Sequence, residues 1–325
     1  MNAPLVSIVL PTYKRAHLLA GAIDSVLAQT WRNWELIVVD DNSPDNTREV
    51  VAGFADPRIR YFRNDPNLKL PRALNRGFAE ARGDYLTWTS DDNLYMPHAL
   101  ERMLERLSAG DCDLVYADYY LFSEQDAQGL PSDPQLDRLP DTVQLERGNH
   151  IGACFLYTRR LYESVGDYDP DLFLVEDYDY FIRAARRFQL AHIGEPLYHF
   201  RRDDATLYLS RFAEVKASDL LVRYKNELLD ERGVVDQMIA LLLRHAERPR
   251  DPLLHWTAKL AAASGSWRIG QWQQRLAEMR LKRRLGERVQ AVLQRYRSRD
   301  ASFGTARDAL RTLMGEVAEV KYVRP

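Results

Sequence analysis

The chain has 325 residues, of which 46% are hydrophobic and 28% are charged, and its formal net charge is −2. These values are typical of a soluble protein with one large domain, or with one domain and an appendage. No run approaches 18 apolar residues, which excludes a transmembrane helix, and two cysteines are too few for a metal site built on cysteine.

The cysteines and the N-terminus indicate a cytoplasmic protein. Cys112 and Cys154 lie in apolar surroundings, as reduced and buried cysteines of cytosolic proteins do. The first residues, MNAPLVSIVLPTYKR, lack a basic leading region and a small-residue cleavage site. We therefore expect no signal peptide.

Apolar periodicity predicts alternating strands and helices up to about residue 200. The predicted strands are 5–10, 34–39, 59–62, 84–88, 113–122, 151–158, 190–193 and 197–200. The predicted helices are 16–29, 45–53, 71–81, 96–107 and 178–188, and the polar residues 123–148 predict a long loop or lid. This alternation indicates an α/β fold with a mostly parallel sheet flanked by helices.

The pattern then changes to long helical stretches that are rich in basic residues. The predicted helices are 211–229, 234–247, 252–264, 270–296 and 303–319. Residues 211–325 carry 23 Lys and Arg against 14 Asp and Glu, whereas residues 1–210 carry 22 against 33. The basic stretch 275–299 is amphipathic. It predicts either a helical bundle with a solvated arginine face or a peripheral contact with anionic lipid headgroups.

Polar groups follow three of the predicted strands, at Pro11-Thr12-Tyr13, Asp40-Asp41 and Asp91-Asp92. Ligands of open α/β sheets bind beyond the carboxyl ends of the strands. Carboxylates about 4 Å apart repel each other by roughly 4 kcal/mol at an effective dielectric near 20, so Asp91 and Asp92 require a shared proton, a basic side chain or a cation such as Mg²⁺. The alternative is a solvated acidic turn that caps the next helix.

No glycine-rich dinucleotide motif or P-loop follows the first strand. A nucleotide could still bind if Tyr13 stacks on its base and Asp41 accepts a hydrogen bond from it. Packing and turn formation are the respective alternatives. Lys69, Arg72 and Asn75 surround the start of a predicted helix, where a cation could contact a pyrophosphate or simply face solvent.

Glu176 and Asp177 begin a predicted helix. The helix dipole favours acids at this position, and a carboxylate with access to a hydroxyl group can also act as a general base. His199 follows the last predicted strands together with Arg201. It is a candidate metal ligand or phosphate contact, or a structural residue.

Four ordered segments carry a family resemblance: SIVLPTYKR, ELIVVDDNSPDNT, ALNRGFAEARGDYLTWTSDDN and FLVEDYDYFIRAA. Over about residues 4–203 the chain resembles inverting family 2 glycosyltransferases of the GT-A fold, and SDDNLYMP is similar to spore-coat polysaccharide members of that family. The resemblance implies a GT-A catalytic domain at 1–205 with an α-helical C-terminal region at 206–325.

The resemblance also implies a UDP- or dTDP-sugar donor and a divalent metal, Mg²⁺ or Mn²⁺. By position, Pro11 and Tyr13 line the base pocket and Asp41 binds the base. Asp91 lies towards the ribose and sugar, with a share in metal binding, and Asp92 is the metal ligand on the diphosphate. From the residues themselves, and not from the resemblance, we assign Lys69 and Arg72 to donor binding and His199 to the metal.

Asp177 matches the catalytic base, with Glu176 beside it near the acceptor. The implied reaction is a single displacement that inverts the anomeric carbon, with a glycan or lipid-linked hydroxyl as acceptor, in polysaccharide biosynthesis. We expect a cytoplasmic protein that can lie peripherally on the membrane face, with no nucleic-acid partner. Asp203 stands where many relatives have a histidine, which puts the third metal ligand in question.

Two other functions are compatible with the residues alone. A metal-dependent nucleotidyltransferase also uses paired carboxylates on an α/β sheet, although its usual phosphate loop is missing here. A non-catalytic module could bind a nucleotide or, through the basic C-terminal part, a nucleic acid, with the salt dependence typical of such binding.

Overall fold

A computed structural model describes residues 3–249 and 267–322 of the chain. The chain divides into two compact units, Met1–Asp203 and Asp204–Pro325, each with buried apolar side chains of its own. The division falls close to the predicted boundary at residue 205. The catalytic role assigned to the first unit stays a prediction.

The described part of the first unit contains nine strands and six helices. The strands are β1 (Val6–Thr12), β2 (Trp34–Asp40), β3 (Ile59–Arg63), β4 (Tyr85–Trp88), β5 (Leu94–Tyr95), β6 (Leu114–Phe122), β7 (Gln135–Asp137), β8 (Phe155–Thr158) and β9 (Leu190–Arg201). The helices are α1 (Ala16–Leu27), α2 (Thr47–Ala52), α3 (Leu70–Glu80), α4 (Ala99–Leu107), α5 (Arg159–Val165) and α6 (Glu176–Ala185).

These strands form one sheet in the order β3-β2-β1-β4-β8-β6-β9-β5, with β7 paired to β6. The predicted α/β class is confirmed, and β1 to β4, which are joined through helices, are mutually parallel. The remainder of the sheet is mixed: β8 runs antiparallel to both β4 and β6. A loop rather than a helical crossover leads to β8, which allows it to enter in the opposite direction.

The central strands explain why the predicted pattern was so clear. Every residue of β1 and β2 is buried, as expected for parallel strands with both faces covered. Val6 lies opposite Trp34 and Thr12 opposite Asp40, while Val9 of β1 lies opposite Trp88 of β4. The carboxyl ends of the three strands therefore meet at one edge of the sheet.

Two regions differ from the predicted strands by more than two residues. β8 begins at Phe155 rather than at residue 151, and the two predicted closing strands are one strand, β9, with register shifts against β6. Gly194 and Pro196 interrupt the apolar pattern of β9, yet the irregular register accommodates them.

The segment 123–148 is attached to the sheet at several points. Asp133 accepts hydrogen bonds from the backbone N–H and the hydroxyl of Ser123, and the Leu139 N–H donates to Asp118. His192, at 2.7 Å from Asp118 and 2.9 Å from Asp141, links the same segment to β9. The role of the segment 123–148 as a lid stays a prediction.

The described part of the second unit is mainly helical, as predicted. Its elements are α7 (Leu207–Ser210), α8 (Phe212–Lys225), α9 (Glu231–His245), β10 (Ala246–Pro249), α10 (Trp267–Arg297), α11 (Phe303–Val317) and β11 (Ala318–Val320). The predicted helix 252–264 lies outside the described residues. No described helix combines the length and apolar character needed to cross a membrane.

Residues 275–297 of the basic stretch 275–299 lie in α10. Its apolar stripe, which includes Leu281, Leu285 and Leu293, is buried against α9 and α11, and most of its basic side chains are exposed. The Lys282 ammonium lies 2.7 Å from Asp236, so part of this charge is balanced within the unit. The stripe that made the stretch amphipathic belongs to a helical bundle.

We expect the substitution Gly77→Ala to destabilise the first unit by about 1–3 kcal/mol. A Cβ at Gly77 in α3 would overlap the side chain of Val9 and would lie 3.2 Å from Cγ2 of Val39. Both neighbours are buried, β-branched strand residues that cannot easily move aside. Urea unfolding followed by circular dichroism measures the change.

Gly21→Ala in α1 is the matched control. A Cβ there meets only Leu94 Cδ2, at an ordinary 3.6 Å. We expect a gain in the free energy of unfolding of about 0.5–1 kcal/mol from helix propensity. Equal effects of the two substitutions would show that α3 and β1 do not pack as closely as described.

Candidate active site

Three of the strand ends selected from the sequence come together in the structure. The Asp41 N–H donates to the Thr12 carbonyl at 2.9 Å, which joins the ends of β2 and β1. The Thr12 hydroxyl donates to Asp91 Oδ2 at 2.7 Å, which joins β1 to the turn after β4. The predicted meeting of these segments at one edge of the sheet is therefore present.

A guanidinium group faces the aspartate pair. Arg15, just before α1, places Nη1 against Oδ2 of Asp92 and 3.5 Å from Oδ1 of Asp91. Only 7% of each aspartate side chain is exposed, against 25% of the arginine side chain. One cationic group thus lies against both carboxylates.

Burial determines the protonation behaviour of this cluster. Burial, and secondly the charge of Asp92, raises the pKa of Asp91 to about 7. Burial also raises the pKa of Asp92, although Arg15 and Arg201 favour its ionised form. Asp203 lies 3.2 Å from Arg201 and also acts on Arg15. Three carboxyl groups therefore lie beside two guanidinium groups, and the net charge of the cluster depends on how many of the three are ionised.

The aspartate pair suits a hard divalent cation. Mg²⁺ and Mn²⁺ prefer carboxylate oxygens, and Mg²⁺ is commonly held by one or two carboxylates with water and phosphate completing its shell. In the residues that the structure covers, no group of three or more His, Cys, Asp or Glu side chains could hold a metal. The fit consequently rests on Asp91 and Asp92, whose carboxylates Arg15 contacts in this structure.

His199 does not join the pair as a third ligand in this structure. Its ring stacks on Tyr120, with centroids 5.5 Å apart, and presents an edge to Phe122. Burial lowers the pKa of His199, and its buried Nδ1 has no hydrogen-bond partner among the residues that the structure describes. The pairing of β9 with β5 places His199 opposite Leu94, within this aromatic cluster.

Asp41 organises the segment that leads into α3. Its Oδ1 accepts hydrogen bonds from Asn64 Nδ2 and the Leu68 N–H at 2.9 and 2.8 Å, and its Oδ2 accepts from the Lys69 N–H at 2.8 Å. Lys69 has φ 71° and ψ 163°, a conformation that side-chain-bearing residues rarely adopt. A carboxylate has about four acceptor sites, so Oδ2 retains capacity for a ligand.

The other donor-binding candidates are distributed around this edge. Tyr13 is 41% exposed and lies 5.0 Å from the Lys14 ammonium, whereas Pro11 is buried within β1. The Lys69 side chain is exposed, and Arg72 forms only a long 3.6 Å contact with Asp171. Tyr13, Lys69 and Arg72 are therefore accessible to a ligand.

Asn75 is not available for a pyrophosphate. Its Nδ2 donates to the Tyr168 carbonyl at 2.8 Å, and its Oδ1 accepts from the Tyr168 N–H at 2.9 Å. Both ends of the amide are used to hold the segment before α6 against α3. The expected contact of a cation, Lys69 or Arg72, with a pyrophosphate stays a prediction.

Glu176 and Asp177 form the first turn of α6, as predicted. Asp177 Oδ1 accepts from the Tyr178 N–H at 2.7 Å, and Oδ2 accepts from Asn149 Nδ2 at 2.9 Å. Glu176 accepts from the Leu174 N–H. Burial raises the pKa of Asp177, and burial together with the Asp177 charge raises the pKa of Glu176. These carboxyl groups are surrounded by neutral donors.

Aromatic contacts join α6 to the strand that carries the aspartate pair. Phe181 of α6 packs edge-on against Phe155 at 5.0 Å, and Phe155 contacts Trp88 at 6.0 Å. Trp88 ends β4, three residues before Asp91. The helix that carries Asp177 is thus packed on the strands next to the aspartate pair.

Three contacts were not identified from the sequence. Thr12 and Arg15 hold Asp91 and Asp92 across 76 to 79 positions in the chain, and Asn149 holds Asp177 across 28. Thr12 stood in a selected strand end, and Arg15 stood in the segment that carries the family resemblance. No local sequence pattern indicated a role for Asn149, because it directly follows the predicted loop 123–148 and belongs to no predicted helix or strand.

Comparison with known proteins gives consistent results. The model of the family described as Glycosyl transferase family 2 matches residues 7–166. WcaA of Escherichia coli (strain K12), a glycosyl transferase named for colanic acid biosynthesis, is 32% identical over 200 residues, which cover 60% of this chain and 69% of WcaA. An uncharacterised glycosyltransferase of Rickettsia felis is 32% identical over 69% of this chain and 37% of its own length.

A third relative has a more specific name. It is the UDP-Glc:alpha-D-GlcNAc-diphosphoundecaprenol beta-1,3-glucosyltransferase WfgD of Escherichia coli, 33% identical over 42% of this chain and 53% of WfgD. The chain spans between 28% and 65% of the length of the five Rickettsia relatives that it matches.

Solved structures share the fold. S. aureus TarS 1-349 in complex with UDP-GlcNAc has a TM-score of 0.52 at 15% identity, covering 95% of this chain and 90% of that one. The mannosyltransferase PcManGT from Pyrobaculum calidifontis, in complex with GDP-Man and Mn2+, has a TM-score of 0.54 at 16% identity, covering 97% and 86%.

We expect Asp41→Ala to loosen the segment before α3. Loss of the carboxylate removes the acceptor of the Leu68 amide and the nearer of the two acceptors of the Lys69 amide, so both should exchange with solvent hydrogen about tenfold faster or more. Hydrogen exchange followed by mass spectrometry measures this in the protein without ligands.

The control is Asn46→Ala, because Asn46 is exposed and its side chain makes no capping hydrogen bond. It should leave exchange at residues 64–69 unchanged. If Asp41→Ala also leaves this exchange unchanged, the anchoring role of Asp41 is wrong.

Proposed function

Because the chain belongs to glycosyl transferase family 2, we propose that it transfers a sugar from a nucleoside-diphosphate sugar to a hydroxyl group of a glycan or lipid-linked acceptor. We place this reaction in the synthesis of a cell-surface polysaccharide. The observation that carries the proposal is the buried Asp91–Asp92 pair at the meeting point of three strand ends, with a separate, half-buried carboxylate, Asp177, on α6.

The proposed donor is a UDP- or dTDP-sugar. Tyr13 offers an exposed ring on which a base can stack, and Asp41 Oδ2 keeps acceptor capacity for a base N–H. Pro11 is buried in β1, and we propose that it lies behind the base pocket. Lys69 and Arg72 are exposed cations beside the start of α3 and can approach the diphosphate. The UDP-Glc in the name of WfgD and the UDP-GlcNAc bound to TarS support a uridine nucleotide.

We propose Mg²⁺ or Mn²⁺ as the cofactor, held by Asp92 and Asp91. A bound divalent cation would stabilise the negative charge of the leaving nucleoside diphosphate. The two carboxylates would fix the position of that charge next to the donor site, and their burial would keep bulk water from screening it. The Mn2+ bound to PcManGT supports this choice.

Asp177 is the proposed general base. It would take the proton of the acceptor hydroxyl as the oxygen forms its bond to the anomeric carbon and the bond to the diphosphate breaks. This single displacement inverts the anomeric configuration. Burial raises the pKa of Asp177, which makes it a better proton acceptor than an exposed aspartate. Glu176 lies beside it and would face the acceptor.

The two units would divide the work. We assign catalysis to residues 1–205, and we assign to the α-helical region 206–325 a supporting role, with the exposed basic side chains of α10 as a peripheral contact to anionic lipid headgroups. This arrangement would suit a cytoplasmic enzyme whose acceptor is attached to a membrane lipid, with no nucleic-acid partner.

We predict that Asp177→Asn lowers sugar transfer by roughly a hundredfold or more while donor binding stays near its original level. The amide keeps the size of the side chain and cannot accept the hydroxyl proton. Release of nucleoside diphosphate from UDP- and dTDP-sugars measures transfer, and titration calorimetry measures donor binding.

Asp92→Ala is the comparison variant in the same experiment. It should lose the part of donor binding that depends on Mg²⁺ or Mn²⁺. Turnover of Asp177→Asn at a level near that of the original protein would contradict the assignment of the base. Release of pyrophosphate instead of nucleoside diphosphate would indicate a nucleotidyltransferase.

Asn149 should affect the pH dependence of the reaction through the pKa of Asp177. Its amide donates to Asp177 and favours the ionised carboxylate, so Asn149→Ala should raise the pKa of Asp177 further. The base must be ionised to act. When the pH is lowered, the variant should therefore lose activity at a higher pH than the original protein does. The acid limb of its kcat/KM profile should move upward by about half a unit to one unit.

Asn149→Gln, which can still donate a hydrogen bond, tests whether the amide itself matters. It should restore at least part of the original profile. An acid limb that does not move in Asn149→Ala would show that Asn149 does not act on the base.

A further inference from the structure

Arg15 takes the position that a metal ion would need. Its Nη1 lies against Asp92 Oδ2 and 3.5 Å from Asp91 Oδ1, so one cationic group serves the carboxylates proposed to bind the divalent cation. With Arg15 in this position, only 7% of each aspartate side chain remains exposed. A cation entering from solvent must reach oxygens that the guanidinium covers.

We propose that Arg15 is a built-in counter-ion that competes with the divalent cation for Asp92, so that metal binding displaces its guanidinium group. This inference rests on the proposed function and specifies how its cofactor site is controlled. Mg²⁺ and the guanidinium require the same oxygen, and two cations at such a short separation repel each other strongly.

Arg15 can give way to a metal ion only by moving its side chain, because it cannot lose its charge. Arginine keeps its charge at every ordinary pH, so the site opens only when the side chain moves. The Arg15 side chain is 25% exposed and lies outside the regular part of α1, so we expect the metal ion to be able to displace it. Asp203, whose charge already favours the charged guanidinium, offers the displaced group a partner in the same unit.

This competition would make metal binding depend on the presence of the donor. Without metal, Arg15 offsets the repulsion between Asp91 and Asp92 and keeps both side chains in place. With metal alone, the ion gains two carboxylates but must displace Arg15. When a donor diphosphate supplies further oxygen ligands, displacement becomes more favourable. The site would therefore favour metal and donor together over free metal.

The test is Mn²⁺ binding to the full chain without any sugar nucleotide, measured from the electron paramagnetic resonance signal of free Mn²⁺. We expect Arg15→Gln to bind Mn²⁺ about tenfold more tightly than the original protein, because the competing cation is gone. Arg15→Lys, which keeps a charge without the planar fork, should lie between the two.

Two further variants complete the design. Arg106→Gln removes the same charge from an exposed pair with Asp111 and should leave Mn²⁺ affinity unchanged. Adding Asp92→Ala to Arg15→Gln should abolish the gain, which would locate the binding at this pair. Circular dichroism confirms that each variant is folded, and Arg15→Lys keeps the test valid if Arg15→Gln does not fold.

Weaker or unchanged Mn²⁺ affinity in folded Arg15→Gln would overturn the proposal, since an arginine that only supports the carboxylates predicts a loss. Absence of Mn²⁺ binding in all variants would also overturn it. Transfer assayed in the presence of EDTA separates this failure from that of the proposed function, because transfer that persists there would leave the transferase assignment in place.

Discussion

The repulsion between two adjacent buried carboxylates is the constraint on which the site depends. Asp91 and Asp92 would repel by roughly 4 kcal/mol if ionised about 4 Å apart at an effective dielectric near 20. Thr12, at the end of β1, and Arg15, just before α1, offset this repulsion. They reach the aspartates because β1 is paired in parallel with β4, the strand that precedes Asp91 and Asp92. The pairing of β1 with β4 therefore also determines which charged and polar groups face the two aspartates.

The second pair of acids lies in a different environment. Asp91 and Asp92 face guanidinium groups, whereas Asp177 and Glu176 accept hydrogen bonds from backbone N–H groups and from the Asn149 amide. Burial raises the pKa of Asp177, and it also raises the pKa of Asp91 and of Asp92 beside the guanidinium groups. The two pairs therefore differ in the partners that hold them, cationic at the first pair and neutral at the second, and not in the direction of their pKa shifts.

Local sequence signals predicted the elements whose side chains are uniformly buried. The apolar runs of β1 and β2 and the helical spacing in α1 left little choice of structure, and the predicted bounds differ by only a few residues. Short or irregular elements were missed. β5 and β7 have two and three residues, too few to show a period, and their pairing with β9 and β6 forms only in the folded sheet.

The sequence by itself determined the α/β class, the family resemblance, and the acids at the ends of strands and of α6, because each depends on residues that are neighbours in the chain. Only the tertiary structure decided which groups face those acids. It set Arg15 against Asp92, Asn149 against Asp177 and His199 within an aromatic cluster. Contacts between distant segments depend on strand order and register, and no local pattern of residues specifies these.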